Sequence, residues 1–167
     1  MTPLHIEHEF RAPSVARFWD SYFDPAHRAR LDAATGIASR ELLERTDDGA
    51  TLLVVQRIVP SREVPGWLRK LTGAGLDYVE RQLLTRADDR IDIDIQPAMF
   101  PSRTHMKLIY AVRPAEPGKI VRTCDGEIEM RVPVFGGRIE RHIREDLEHS
   151  YGVAVPLTQE WLDAHPL

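Results

Sequence analysis

A chain of 167 residues can bury one sizeable hydrophobic core, and we predict a single domain over residues 1–167. The net charge of −4 gives no general electrostatic basis for binding nucleic acid, so we expect no nucleic-acid partner. One cysteine allows no intramolecular disulfide, and residues 1–13 lack the apolar stretch of a signal peptide. These features predict a cytoplasmic protein.

The first 35 residues predict one strand and two short helices. Apolar and polar side chains alternate over residues 4–10, which is typical of a half-buried strand. Ser14 is a suitable N-cap for a helix that follows it, because its hydroxyl can accept from a free backbone N–H. Pro25 is suited to the first position of a second helix.

A meander of six strands is predicted next. Residues 37–46 and 50–59 flank Asp47-Asp48-Gly49, a favourable hairpin turn. Residues 61–74 interrupt the alternation and include a short helix at 67–71. The remaining strands are predicted over residues 76–87, 90–96, 103–113 and 119–133.

The last predicted strand runs into the most amphipathic helix of the chain. One face of residues 119–133 carries apolar side chains, namely Ile120, Cys124, Ile128, Met130 and Val132. Gly136-Gly137 permit a sharp reversal. Three apolar residues then recur at helical spacing: Ile139, Ile143 and Leu147. We expect this helix to fold back over the covered face of the sheet and to break at Gly152 and Pro156, with Thr158 capping a short terminal helix.

This order of elements resembles the START/Bet v 1-like superfamily, also called the SRPBCC or helix-grip fold. The segment PVFGGRIE, residues 133–140, resembles a bacterial branch of it, a domain of unknown function. The resemblance implies an α+β helix-grip fold, with a curved seven-stranded antiparallel sheet wrapped around a long C-terminal helix and two short helices after strand 1. It also implies a cavity for lipids, polyketides or other apolar ligands. The superfamily shares no catalytic residue set, so none is transferred.

A charged residue and a tyrosine face the covered side of the predicted sheet. Arg122 lies between Ile120 and Cys124 on the apolar side of its strand, and Tyr110 lies on the apolar side of the preceding strand. A charge that faces a covered space needs a partner: a protein carboxylate, solvent at the cavity rim or a ligand anion. The candidate ligand-binding residues are Arg122, Tyr110, His8, Met106, Leu108, Cys124, Ile128, Met130, Trp67, Phe100 and Ile143.

Three functions fit these residues. We expect binding or carriage of a hydrophobic or amphipathic small molecule, lipid or polyketide-like, in a cavity between the sheet and the C-terminal helix. One alternative is an aromatase/cyclase-type enzyme that uses Tyr110, Arg122 and His8. The other is a protein-interaction module with a filled cavity. We assign no catalytic residue and expect no metal or cofactor, because His142 and His149 lie about 10 Å apart along a helix and cannot hold one ion alone.

Two apolar loop segments, residues 64–68 and 97–101, are expected to form lips around one opening and to contact ligand or, transiently, a membrane. The alternative is that they seal the core. Glu7 and Glu9 point outward from the first strand and protect it as a sheet edge, so we expect a monomer or a weak dimer.

Overall fold

A curved sheet and a long C-terminal helix dominate the computed structural model, which describes residues 1–72 and 76–166. The last two residues of the interruption predicted over 61–74 lie outside these ranges. The described elements, in chain order, are β1 (Thr2–Arg11), α1 (Val15–Phe23), α2 (Pro25–Thr35), β2 (Ile37–Asp47), β3 (Thr51–Pro60), α3 (Gly66–Thr72), β4 (Tyr78–Thr85), β5 (Arg90–Pro97), β6 (Thr104–Pro114), β7 (Lys119–Met130) and α4 (Gly136–Ala164). The predicted α+β helix-grip fold is confirmed.

The seven strands form one antiparallel sheet in the order β1-β7-β6-β5-β4-β3-β2. The first strand therefore lies beside the last, and β1 and β2 are the two edges. This arrangement places His8 of β1 opposite Arg122 of β7. Alternation along β5 buries Ile91, Ile93 and Ile95 on the face that α4 covers.

The turn between β7 and α4 ends the strand earlier than the predicted residue 133. The backbone N–H of Met130 donates to the Glu140 carboxylate at 2.8 Å. Glu140 lies in the first turns of α4 and is buried, so the helix start is fastened directly to the strand end. Gly136 then begins the helix, as the glycine pair predicted.

The predicted helix break at Gly152 and Pro156 is wrong, because α4 continues to Ala164 with Pro156 inside it. Pro156 cannot donate to the carbonyl of Gly152, but both residues are exposed, so water can reach that carbonyl. The last turns of α4 pack on α2 instead of forming a separate helix. Thr158 is buried against His27, and Trp161 Nε1 donates to Asp24 Oδ2 at 2.8 Å.

Within residues 1–72 and 76–166, no helix combines the length and apolar content that a bilayer span requires.

Candidate functional site

A pocket of about 180 Å³ lies between the covered face of the sheet, the first two helices and the middle of α4. We call it the first pocket. Strands β4 to β7 supply its floor, while α1, α2 and α4 supply its walls. Its lining mixes aromatic rings with polar groups, and it includes Tyr22, His27, Leu108, Tyr110, Arg122 and Tyr151.

Arg122 is the buried charge of this pocket, since only 5% of its surface is exposed. Its Nη2 donates to His8 Nδ1 at 2.7 Å, while its Nε has no hydrogen-bond acceptor among the described residues. Within the described ranges, no carboxylate oxygen lies within 4.0 Å of the guanidinium. The ion pair between Arg122 and a protein carboxylate, which the sequence left open, is therefore absent among the described residues.

Aromatic rings surround the Arg122 guanidinium in place of a carboxylate. Its Cζ lies 4.8 Å from the ring centroid of Tyr151, 5.3 Å from that of Phe10 and 5.8 Å from that of Tyr110. Such rings attract a cation through their negative faces, but each contact is weaker than a buried carboxylate pair. The arginine is thus held in position without being neutralised.

The other titratable groups beside Arg122 are uncharged at neutral pH. Burial lowers the pKa of His8, and the Arg122 charge lowers it further, so the neutral imidazole accepts the Arg122 hydrogen bond. Burial raises the pKa of Tyr110, of Tyr151 and of the Cys124 thiol. Tyr151 OH donates to Cys124 Sγ at 3.4 Å. A protonated, buried thiol of this kind is a poor nucleophile.

A second arginine at the pocket shows the opposite arrangement. Arg40 of β2 binds both oxygens of Asp32, with Nη2–Oδ1 at 2.8 Å and Nε–Oδ2 at 3.0 Å. Glu80 lies 3.9 Å from the same guanidinium. Nearby, Tyr22 OH donates to Gln82 at 2.8 Å. These polar groups hydrogen-bond or pair with one another at this end of the pocket.

His27 is a pocket residue that sequence reasoning missed. It is 3% exposed, its Nε2 lies 3.1 Å from Thr158 Oγ1, and its Nδ1 has no partner in the part of the chain that the structure describes. Burial lowers its pKa, so the ring is neutral at pH 7. The signal was its spacing on α2, because His27, Leu31 and Thr35 recur every four residues and all line the pocket.

A second pocket of about 130 Å³ adjoins the first and shares Arg62, Tyr78, Ile95 and Leu147 with it. Residues from both apolar loop segments border this second pocket, including Val64, Leu68, Pro97 and Met99. Both segments that the sequence predicts as lips therefore border this pocket, together with residues 142–147 of α4.

The predicted site residues separate into three groups. Arg122, Tyr110 and Leu108 line the first pocket, and Met106 and Ile143 line the second. His8 is hydrogen-bonded to Arg122, Cys124 is hydrogen-bonded to Tyr151, and Ile128 is in the core. The third group lies in an apolar cluster at the start of α4 and consists of Met130, Trp67 and Phe100.

A family model described as "Protein of unknown function (DUF2505)" matches residues 5–162. The chain belongs to this family.

Solved structures show where the fold of this DUF2505 chain occurs. A START superfamily protein from Mycobacterium smegmatis is 16% identical, covers 95% of this chain and 98% of its own, and gives a TM-score of 0.64. The Zhui aromatase/cyclase from Streptomyces sp. R1128 is 15% identical, with 97% and 94% covered and a TM-score of 0.65. Norcoclaurine synthase from Thalictrum flavum, in complex with dopamine and hydroxybenzaldehyde, is 17% identical, with 98% and 87% covered and a TM-score of 0.64. The fold predicted from the START resemblance is confirmed.

Proposed function

We propose that this protein binds a small hydrophobic or amphipathic molecule in the first pocket, between the sheet and α4. The observation that carries the proposal is the lining of that pocket, in which apolar and aromatic side chains lie beside polar groups, and two polar atoms, Nδ1 of His27 and Nε of Arg122, have no partner among the described residues. Sites for small molecules have this composition, because the apolar wall supplies affinity and the polar groups fix orientation. The fold neighbours support it, since one of them holds dopamine and hydroxybenzaldehyde.

The size of the first pocket favours a ligand of about one ring. Its 180 Å³ slightly exceeds the roughly 150 Å³ of an engineered cavity that binds benzene. A lipid or a multi-ring polyketide needs more space, because the pockets that hold drug-sized ligands measure about 300–1,000 Å³. The adjoining second pocket would receive a substituent or a short alkyl chain. We therefore narrow the expected ligand class to single-ring or short-chain molecules.

Access to the first pocket would pass through the second, between the segments 64–68 and 97–101. Val64 and Met99 come from these two segments, and both line the second pocket. Separation of the segments would join both pockets to solvent without disturbing the sheet. In this proposal the segments are the lips expected from the sequence.

The test is isothermal titration calorimetry with three uncharged probes, benzamide, indole and 1-octanol. The filling variant is Ala154→Phe, because Ala154 of α4 lines the first pocket. The matched control is His149→Phe, which adds the same ring at an exposed position of the same helix. We expect at least one probe to bind the wild type and the control with the same affinity, and to bind the filled variant at least ten-fold more weakly. Equal binding to the filled variant would contradict the proposal, and so would a failure of these three probes and of the charged probe benzoate to bind.

A further inference from the structure

We propose that the natural ligand of the first pocket is a small organic acid whose carboxylate binds Arg122; this inference rests on the proposed function. The chemistry concerned is that of a single-ring or short-chain carboxylate. Its anionic end would meet the guanidinium, and its apolar body would lie against Leu108, Ile93 and Leu147.

The charges around the first pocket support an anionic ligand. Two carboxylates from the described residues line it, Asp32 and Glu80, and both lie within 4.0 Å of Arg40. Arg28 also lines the pocket and, among the described residues, makes no ion pair; its Nη2 donates to the Tyr22 carbonyl at 3.5 Å. Asp32 and Glu80 share Arg40, and Arg62, which also lines the pocket, pairs with Asp146, so the described charges at the pocket sum to one net positive charge. A buried charge without a counter-ion is costly, and an anion that enters the site removes that cost.

The geometry around Arg122 leaves the required donors free. Aromatic rings contact a guanidinium through its faces, whereas a carboxylate binds in its plane through two N–H groups. The contacts with the rings of Tyr151 and Phe10 use no N–H group, whereas the Tyr110 hydroxyl is close enough to hydrogen-bond to the guanidinium and would share it with a carboxylate. Nη2 donates to His8, but Nε is buried and has no acceptor within residues 1–72 and 76–166. A buried N–H without an acceptor is rare in folded proteins, and a ligand oxygen would satisfy it.

Ligand selectivity tests this inference, with benzoate and benzamide as the probes. They have nearly the same shape and differ in charge. We expect the wild type to prefer benzoate by about ten-fold or more, the scale of a charge-assisted hydrogen bond in a buried site. In Arg122→Met, the preference for benzoate should disappear, while the affinity for benzamide should stay as in the wild type. The control Arg113→Met removes an exposed charge from β6, outside both pockets, and should change neither affinity.

A second variant distinguishes the loss of the Arg122 charge from a loss of the fold. Arg122→Gln keeps a side-chain N–H that can donate to His8 but removes the charge, and circular dichroism and a thermal melt would establish that it folds. Retention of the wild-type preference for benzoate in either folded variant would overturn the inference. So would a wild type that binds benzamide as tightly as benzoate, and in that case the proposed function stands. If no uncharged probe and no benzoate binds, the proposed function fails as well.

Discussion

The two adjacent glycines at the start of α4 should respond in opposite ways to alanine. A Cβ atom added at Gly136 would lie 2.1 Å from the backbone oxygen of Met130. Carbon–oxygen contacts in proteins are about 3.3–3.6 Å, so β7 and α4 would have to separate by about 1 Å. A Cβ at Gly137 would meet only Arg141 Nη1, at an ordinary 3.7 Å. Gly137→Ala is therefore a matched control on the neighbouring residue.

The expected cost at Gly136 follows from the contacts that the shift disturbs. Overpacking in a buried site costs about 1–3 kcal/mol. The same shift lengthens the bond from the Met130 N–H to the Glu140 carboxylate, and hydrogen bonds to charged groups contribute about 1.5–3 kcal/mol. We expect Gly136→Ala to lose about 2–4 kcal/mol of unfolding free energy. Gly137→Ala should gain about 0.5 kcal/mol, because glycine is a poor helix former.

Urea denaturation followed by circular dichroism measures both variants. In thermal melts the loss at Gly136 should lower Tm by roughly 5–15 °C, and Gly137→Ala should match or exceed the wild type. Equal stability of the two variants would refute the reasoning, because it would mean that the strand end and helix start are not in direct contact.

Three further predictions concern strain, pH and the buried charge. Val134 has a left-handed backbone with φ of 69° and is 94% exposed, so Val134→Gly should raise the unfolding free energy by about 1 kcal/mol, and an unchanged urea midpoint would contradict this. Burial lowers the pKa of His27 and of His8 below the usual value near 6.5, so the unfolded chain binds more protons as the pH falls below 6.5 and stability should decrease. His5, exposed beside Asp125, has a raised pKa, so its protonation acts in the opposite direction. Thermal melts from pH 7.5 to 5.0 that show a net rise in stability would refute the prediction that His27 and His8 dominate the pH dependence. Arg122→Met without ligand should stay within about 1 kcal/mol of the wild type in urea denaturation, because no described carboxylate is stranded, whereas breaking a buried ion pair would cost about 3–5 kcal/mol.

The face of the sheet that each strand side chain occupies could be predicted from the sequence, because side chains alternate between the two faces. Alternation along β7 placed Arg122 and Cys124 on the covered side, and alternation along β6 did the same for Tyr110; all three are buried. The glycine pair and the apolar stripe after it located the start of α4, because these signals also depend only on residues that are close in the sequence.

The walls of the pocket could not be read in the same way, because they depend on contacts between distant elements. His27 is a pocket residue only because α2 packs against the end of α4, through Thr158. The same packing keeps α4 continuous past Pro156, against the local preference of proline. Alternation also gave no means of deciding between a carboxylate and aromatic rings as the surroundings of Arg122, since those rings come from β1, β6 and α4.

Methyl NMR of protein labelled at isoleucine and leucine methyl groups tests the central claim most directly. The protein is titrated with indole and, separately, with benzoate. If a small molecule binds in the first pocket, the largest shift changes should fall on Ile93, Leu108 and Leu147, which line it. The methyl groups of Leu42 and Leu43, exposed on the edge strand β2, should stay in place. Shift changes centred on Leu42 and Leu43, or no change with either molecule, would contradict the account.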